Sequence, residues 1–191
     1  MRLTTICAAA AAAAILSTAA MAQSSSVFGG FSYLRNSRDI FTSPSGSSDL
    51  LGWQASYTYK IVPRLGITAD FGGNYASAGS SFYGATGTYQ QHTFLAGPEA
   101  KLLTDGRFQV GVRGLAGFVS ANSPYADYRF NDYRGDSGRT RAFAASFGGN
   151  VDVKITDRVS YRILQPEYLL TRFGNSVQNG FRVSTGFVFR F

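Results

Sequence analysis

At 191 residues the chain suits one domain, and its 22 glycines, 16 phenylalanines and 11 tyrosines favour sheet over helix. A single cysteine, Cys7, excludes a disulfide framework, and its place in the leader leaves no thiol for catalysis or for a cysteine-ligated metal. The formal charge of +7 is dispersed, without the clustered basic run that nucleic-acid binding needs; scattered cations instead suit anionic lipid head groups.

The first element is a leader. Met1 and Arg2 give a positive start, Ile6 to Leu16 is apolar, and Ala20-Met21-Ala22 is a small-x-small cleavage site before Gln23. Residues 1–22 are expected to be a cleaved secretory signal peptide, and 23–191 the mature domain. The apolar run is too short to span a bilayer as a helix, and no later stretch is long enough. A membrane crossing by this chain must therefore use a closed sheet, because open sheet edges cannot be satisfied in hydrocarbon.

The three lysines mark an internal repeat. Lys60 precedes Ile-Val-Pro-Arg64, Lys101 precedes Leu-Leu-Thr-Asp-Gly-Arg107, and Lys154 precedes Ile-Thr-Asp-Arg158. Each segment reads as a tight hairpin turn. Longer polar stretches fall at about 36–50, 76–90, 120–140 and 174–179. Long and short connections alternate, which predicts eight strands near 27–35, 51–61, 65–75, 91–101, 107–119, 141–155, 159–173 and 180–191.

Side chains alternate along each segment, so parity assigns faces. Phe31, Trp53, Tyr57, Tyr59, Ile67, Phe71, Phe94, Phe108, Phe118, Phe143, Phe147 and Tyr161 share the apolar face. The opposite parity carries Gln54, Thr68, Asp70, Asn74, Glu99, Arg113, Asn150 and Asp152. A lipid-carrying soluble barrel would place its large apolar side chains inside; this pattern puts them outside. In the seventh segment the phase changes between Ile163 and Tyr168, which predicts a bulge at Gln165–Pro166 that returns Glu167 to the interior. Glu99, Lys101, Arg113, Asp152, Lys154 and Arg162 are expected to form an interior charge network, with Glu99 and Asp152 as the shared acceptors.

Chemistry elsewhere is sparse. His92 is the single histidine, at the outer end of the fourth segment, and no His-x-Ser pair, acid pair or second histidine supports it as a catalytic base. No metal constellation, phosphate loop or cofactor motif is present. The stretch from Tyr125 to Arg141 interleaves aromatics and charges, and Tyr125, Tyr128, Arg129, Tyr133 and Arg134 are candidate surface contacts. Its Arg134-Gly135-Asp136 looks like an adhesive tripeptide, a match short enough to arise by chance.

The last segment, Phe-Arg-Val-Ser-Thr-Gly-Phe-Val-Phe-Arg-Phe, alternates apolar and polar from Phe181 to Phe191. Ser184, Gly186, Phe189 and Phe191 resemble the terminal assembly signal of bacterial outer-membrane barrels. The whole mature region resembles the small OmpA/OmpX-like eight-stranded barrels. The resemblance implies an all-β, antiparallel, up-and-down transmembrane barrel in the outer membrane of a Gram-negative-type envelope. It implies insertion by the barrel-assembly machinery and contact with outer-membrane lipids and lipopolysaccharide. A monomer without catalytic, cofactor or metal sites is expected, with a structural or surface-interaction role in adhesion or envelope integrity. The alternatives are a small gated channel, or a lipid-modifying barrel enzyme acting through His92.

Overall fold

The computed structural model describes residues 25–37, 48–78, 87–122, 139–173 and 176–191. The leader and the candidate contacts Tyr125, Tyr128, Arg129, Tyr133 and Arg134 lie outside these residues. The described chain is β1 (Ser25–Asn36), β2 (Ser48–Val62), β3 (Leu65–Ala78), β4 (Gly87–Asp105), β5 (Phe108–Asn122), β6 (Arg139–Lys154), β7 (Val159–Phe173) and β8 (Ser176–Arg190). Each strand pairs antiparallel with its sequence neighbour, and β1 closes on β8 from Ser26↔Arg190 to Asn36↔Gly180. Closure is what lipid demands, since it pairs both edges of the sheet.

The tight connections explain where strands end. Val62 pairs with Leu65 around Pro63–Arg64, a site where proline needs no ladder N–H. Asp105 pairs with Phe108 around Gly106–Arg107, and Gly106 has φ of 53°, which a residue without Cβ adopts freely. β4 is thus longer than the expected 91–101. A bulge between Lys101 and Leu103 absorbs one residue, and pairing then continues to Asp105. A similar shift lies between Lys60 and Val62 on β2.

The interruption in β7 sits earlier than Gln165–Pro166. Ile163 and Leu164 together oppose Thr185, with the register slipping between Arg162 and Gln165. Both bulge residues face outward, while Gln165 and Glu167 are buried. The Thr185 hydroxyl donates to the Arg162 carbonyl at 2.9 Å, giving the loosened ladder a partner. Pro166 remains in register opposite Val183, so the phase change belongs to Ile163–Leu164.

The two faces follow parity. Phe31, Trp53, Tyr59, Ile67, Phe108, Phe143, Phe147 and Phe189 are exposed on the outer surface. Phe71, Phe94, Phe118 and Phe143 align across β3 to β6, with Phe94 and Phe118 stacked at 5.0 Å. No helix among the described residues is long and apolar enough to cross a membrane. The crossing surface is this apolar belt of strands.

The interior is layered, and only part of it is the expected polar core. Toward the end of the barrel that carries the longer connections, Leu34, Leu50, Tyr89, Leu95, Leu115, Val119, Ala142, Ala144 and Leu169 form a buried apolar cluster. Polar and charged groups, with Phe28 and Val188 among them, fill much of the rest: Gln54, Asp70, Arg113, Glu167 and Arg182 at mid-height, and Asp152, Arg162 and Arg190 nearer the short turns.

Phe147, 68% exposed in mid-strand, gives a test of the faces. Phe147→Arg should lower stability by about 2–4 kcal/mol in urea unfolding from lipid vesicles, the depth-dependent penalty for a cation at the bilayer midplane. A loss well under 1 kcal/mol would contradict this placement.

Candidate functional site in the barrel interior

Four charged side chains form a closed ring across the lumen. Asp70 comes from β3, Arg113 from β5, Glu167 from β7 and Arg182 from β8, and all four side chains are fully buried. Arg113 Nη2 donates to Asp70 Oδ2 at 2.9 Å, and Arg113 also pairs with Glu167 Oε1. Arg182 Nε donates to Glu167 Oε2 at 2.6 Å, and its Nη2 donates to Asp70 Oδ1 at 3.1 Å. Two guanidinium groups and two carboxylates alternate, so the ring is formally neutral. Each acid bridges both arginines. Guanidinium suits this geometry because its fixed fork of donors can serve two acceptors at once.

Neighbouring residues hold the ring in place. Gln54 Nε2 donates to Asp70 Oδ2 at 2.7 Å, and Thr93 Oγ1 accepts from Arg182 Nη1 at 3.2 Å. Gly72 leaves the space that Arg182 occupies: a Cβ there would lie 3.0 Å from Arg182 Nη1 and 2.7 Å from Thr93 Oγ1. The leucine layer covers the ring directly. Leu34 is the cross-strand partner of Arg182 and Leu95 that of Asp70, while Leu115 and Leu169 follow Arg113 and Glu167 by one same-face step. Excluding water strengthens each ion pair and raises the cost of leaving any member without its partner.

A second cluster lies toward the short turns. Arg162 Nε and Nη2 donate to Asp152 Oδ1 and Oδ2 at 2.7 and 3.1 Å, a bidentate pair. The Arg162 guanidinium also sits 4.7 Å over the Phe28 ring. Arg162 donates through Nη1 to Gln165, and Gln165 Nε2 donates to Gln54 Oε1 at 3.0 Å, linking the cluster to the ring. Below it, Arg190 donates to Ser160 Oγ at 2.7 Å and to Gln109 Oε1 at 2.9 Å. Lys101 Nζ reaches the same Gln109 oxygen at 3.5 Å.

The six residues expected to form one network divide among separate surroundings. Arg113 belongs to the ring, and Asp152 and Arg162 form their own pair. Glu99 is the cross-strand neighbour of Arg113 but accepts its hydrogen bond from Thr68 Oγ1 at 3.0 Å, and its carboxylate has no ion pair among the described residues. Lys101 reaches Gln109, and Lys154 turns outward to Asp157 at 2.6 Å, where its ammonium holds the Asp157 carboxyl below the ordinary carboxylate range. The shared acceptors are therefore Asp70 and Glu167 rather than Glu99 and Asp152. The residues added to the expected set are Asp70, Glu167 and Arg182. All three carry inward parity, but which strands face one another across the lumen depends on the stagger of the closed sheet.

The remaining candidates have less elaborate surroundings. His92 faces outward at the rim and shares a hydrogen bond of 3.2 Å between its Nε2 and the Tyr75 hydroxyl. Ser120 lies opposite it in the β4–β5 register, a juxtaposition that no sequence spacing signals. No hydrogen bond joins His92 to Ser120, and no carboxylate orients the ring, among the described residues. In the closing strand, Ser184 is buried opposite Ser32, Gly186 faces Gly30 and Phe189 is exposed opposite Val27. Phe191 N donates to the Ser25 carbonyl at 3.0 Å and Ser25 N to the Phe191 carbonyl at 3.4 Å, extending the β1–β8 seam by a reciprocal pair.

No protein-family model and no curated protein sequence matches the chain. Solved structures do. Neisserial surface protein A is 15% identical, with a TM-score of 0.60 over 88% of this chain and 97% of that one. Ail, the attachment invasion locus protein of Yersinia pestis, is 14% identical with a TM-score of 0.47, covering 86% and 97%. The N-terminal barrel domain of Pseudomonas aeruginosa OprF is 15% identical with a TM-score of 0.46, covering 87% and 98%. The fold is that of the small eight-stranded outer-membrane β-barrels. With its apolar belt, a barrel of this fold belongs in a bacterial outer membrane.

Glu167→Gln should destabilise the barrel by about 3–5 kcal/mol, because it leaves two buried guanidinium groups to one carboxylate. Glu99→Gln should cost clearly less in the same urea titration from the same vesicles. Equal losses would contradict the ring as the main electrostatic support.

Proposed function

We propose that this outer-membrane barrel is non-enzymatic and acts as a closed, rigid mount for a recognition surface on its outer connections. The observation that carries the reading is the sealed interior. The neutral ring of Asp70, Arg113, Glu167 and Arg182 lies beneath a layer of leucines, and an eight-stranded lumen has room for little beyond its own side chains. Opening a water path would require separating buried ion pairs and displacing Leu34, Leu95, Leu115 and Leu169 together. That supports a structural and surface role over a gated channel. His92 favours the same reading, since its described partner is a tyrosine and general-base catalysis calls for an oriented imidazole.

The contact surface of this reading is the segment carrying Tyr125, Tyr128, Arg129, Tyr133 and Arg134. Tyrosine and arginine provide large contact area, directional hydrogen bonds and charge, which is why they concentrate in interfaces. Its partners on this reading are the phosphorylated sugars of lipopolysaccharide beside the barrel and the surfaces of other cells. The barrel works as a monomer, inserted by the assembly machinery through the β8 strand.

Two measurements test the proposal together. Single-channel recording of the purified barrel in planar bilayers should show no discrete conductance steps; a regular step current would overturn it in favour of the channel. Cells expressing the wild-type barrel should attach to a lipopolysaccharide-coated surface, or to one another, more than cells lacking it. Replacing the five loop residues by alanine should reduce attachment several-fold at unchanged heat-modifiability. Equal attachment by the two would overturn the surface role.

A further inference from the structure

The short-turn end of the barrel carries a repeated device that the interior does not use. Each tight turn ends on an arginine, Arg64, Arg107 or Arg158, immediately before the next strand. The backbone carbonyl of each accepts a hydrogen bond of 2.8 Å from the basic residue closing the neighbouring hairpin or strand: Lys101 N to Arg64, Lys154 N to Arg107, and Arg190 N to Arg158. Three equivalent clasps therefore set three arginines at intervals around one rim. All three are exposed, and none of their guanidinium groups has an ion-pair or hydrogen-bond partner among the described residues.

Charge at this rim is one-sided. Lys60, Lys101, Lys154 and Arg190 stand behind the three arginines, against Asp105 and Asp157 as the acids of the turns. Asp157 is already engaged by Lys154 at 2.6 Å. The rim is thus strongly cationic, with its exposed members directed away from the internal networks.

What lies beside the arginines identifies the partner. The bulge on β2 turns Ile61 and Val62 outward in succession, and that on β4 does the same for Leu102 and Leu103. A strand without a bulge would send one of each pair inward. Arg64 is followed by exposed Leu65 and Arg107 by exposed Phe108, and exposed Ile155 occupies the third turn. An apolar collar continuous with the lipid belt therefore meets the cations within one or two residues. A soluble polyanion would match the charge but leave the collar in water. A bilayer interface matches both: acyl chains against the aliphatic side chains and phosphates against the guanidinium forks.

We infer that the short-turn rim is a binding collar for anionic phospholipid head groups of the periplasmic leaflet, with Arg64, Arg107 and Arg158 as its phosphate-contacting residues. The inference rests on the barrel's placement in a membrane and is independent of what the outer connections bind. The collar would fix the barrel's depth and surround its periplasmic end with anionic lipid. A cation at an anionic leaflet gains up to about fivefold in partition, so the three together give a measurable lipid preference.

The test uses the full mature barrel refolded into phosphatidylcholine vesicles that contain phosphatidylglycerol. Electron paramagnetic resonance of spin-labelled phosphatidylglycerol and phosphatidylcholine then gives the relative association of each lipid with the protein. The wild type should select phosphatidylglycerol several-fold, and high salt should weaken the preference. Arg64→Gln/Arg107→Gln/Arg158→Gln should bring it close to unity, while the corresponding triple lysine variant and Arg141→Gln, at the outer end, should keep most of it. Heat-modifiability of each variant reports folding separately, so a failure of membrane insertion is distinguishable from a loss of lipid preference. An unchanged preference in the folded triple glutamine variant would overturn the collar. So would loss of dextran sulfate binding in that variant with lipid selection intact, which would assign the rim to a soluble polyanion.

Discussion

Everything in this barrel follows from backbone hydrogen bonding in a medium that offers no replacement partners. Lipid cannot satisfy a free sheet edge, so the strands must close, and β1 is paired along its length with both β2 and β8. Closure with eight strands then encloses a lumen only wide enough for side chains. Polar groups sent inward by alternation cannot rely on bulk water. They must satisfy one another, and the ring of Asp70, Arg113, Glu167 and Arg182 does so for both of its carboxylates and for every guanidinium nitrogen but Arg113 Nη1, which is buried without a hydrogen-bond partner among the described residues.

The ring and the leucine layer act on each other. By excluding water, the leucines make the ion pairs stronger and any vacancy among them costlier. The ring in turn ties β3, β5, β7 and β8 across the lumen, so that strands distant in the sheet are coupled through their side chains as well as through the wall. Gln54 and Gln165 extend that coupling to Arg162 and Asp152. A barrel reinforced in this way is suited to hold a surface still, and poorly suited to open. On the proposed reading its two ends would have different work, the outer end carrying the contact surface and the short-turn end meeting lipid with arginine and aliphatic side chains.

Local rules made much of this legible in the sequence. Period-two alternation assigned Phe31, Trp53, Phe94 and Phe147 to the outside, and the repeated lysine-to-arginine segments located the tight turns. What could not be read is long-range geometry. Arg182 and Asp70 are 112 residues apart, and nothing in either neighbourhood announces the other. Their meeting depends on sheet stagger, and stagger depends on bulges whose positions composition locates only loosely. Proline drew attention to Gln165–Pro166, yet the extra residue is taken up at Ile163–Leu164, where two apolar side chains can both face lipid. The same reasoning accounts for Glu99. Its inward parity was evident, but the stagger gives it Thr68 as a partner and leaves the two arginines to Asp70 and Glu167. The apolar layer was also present in the parity of Leu34, Leu95, Leu115 and Leu169, but a handful of leucines among polar residues forms a layer only after the strands are aligned.

The central claim is that the four ring residues stabilise the barrel as one neutral unit, and a double-mutant cycle addresses it most directly. Glu167→Leu, Arg182→Met and the double variant would be unfolded by urea from identical vesicles. Each single change leaves the ring with unbalanced charge, whereas the double change restores neutrality. The account predicts that the double variant loses less stability than the two single losses combined, by about 1–3 kcal/mol. Additive losses would contradict it, because they would mean that Glu167 and Arg182 support the barrel independently.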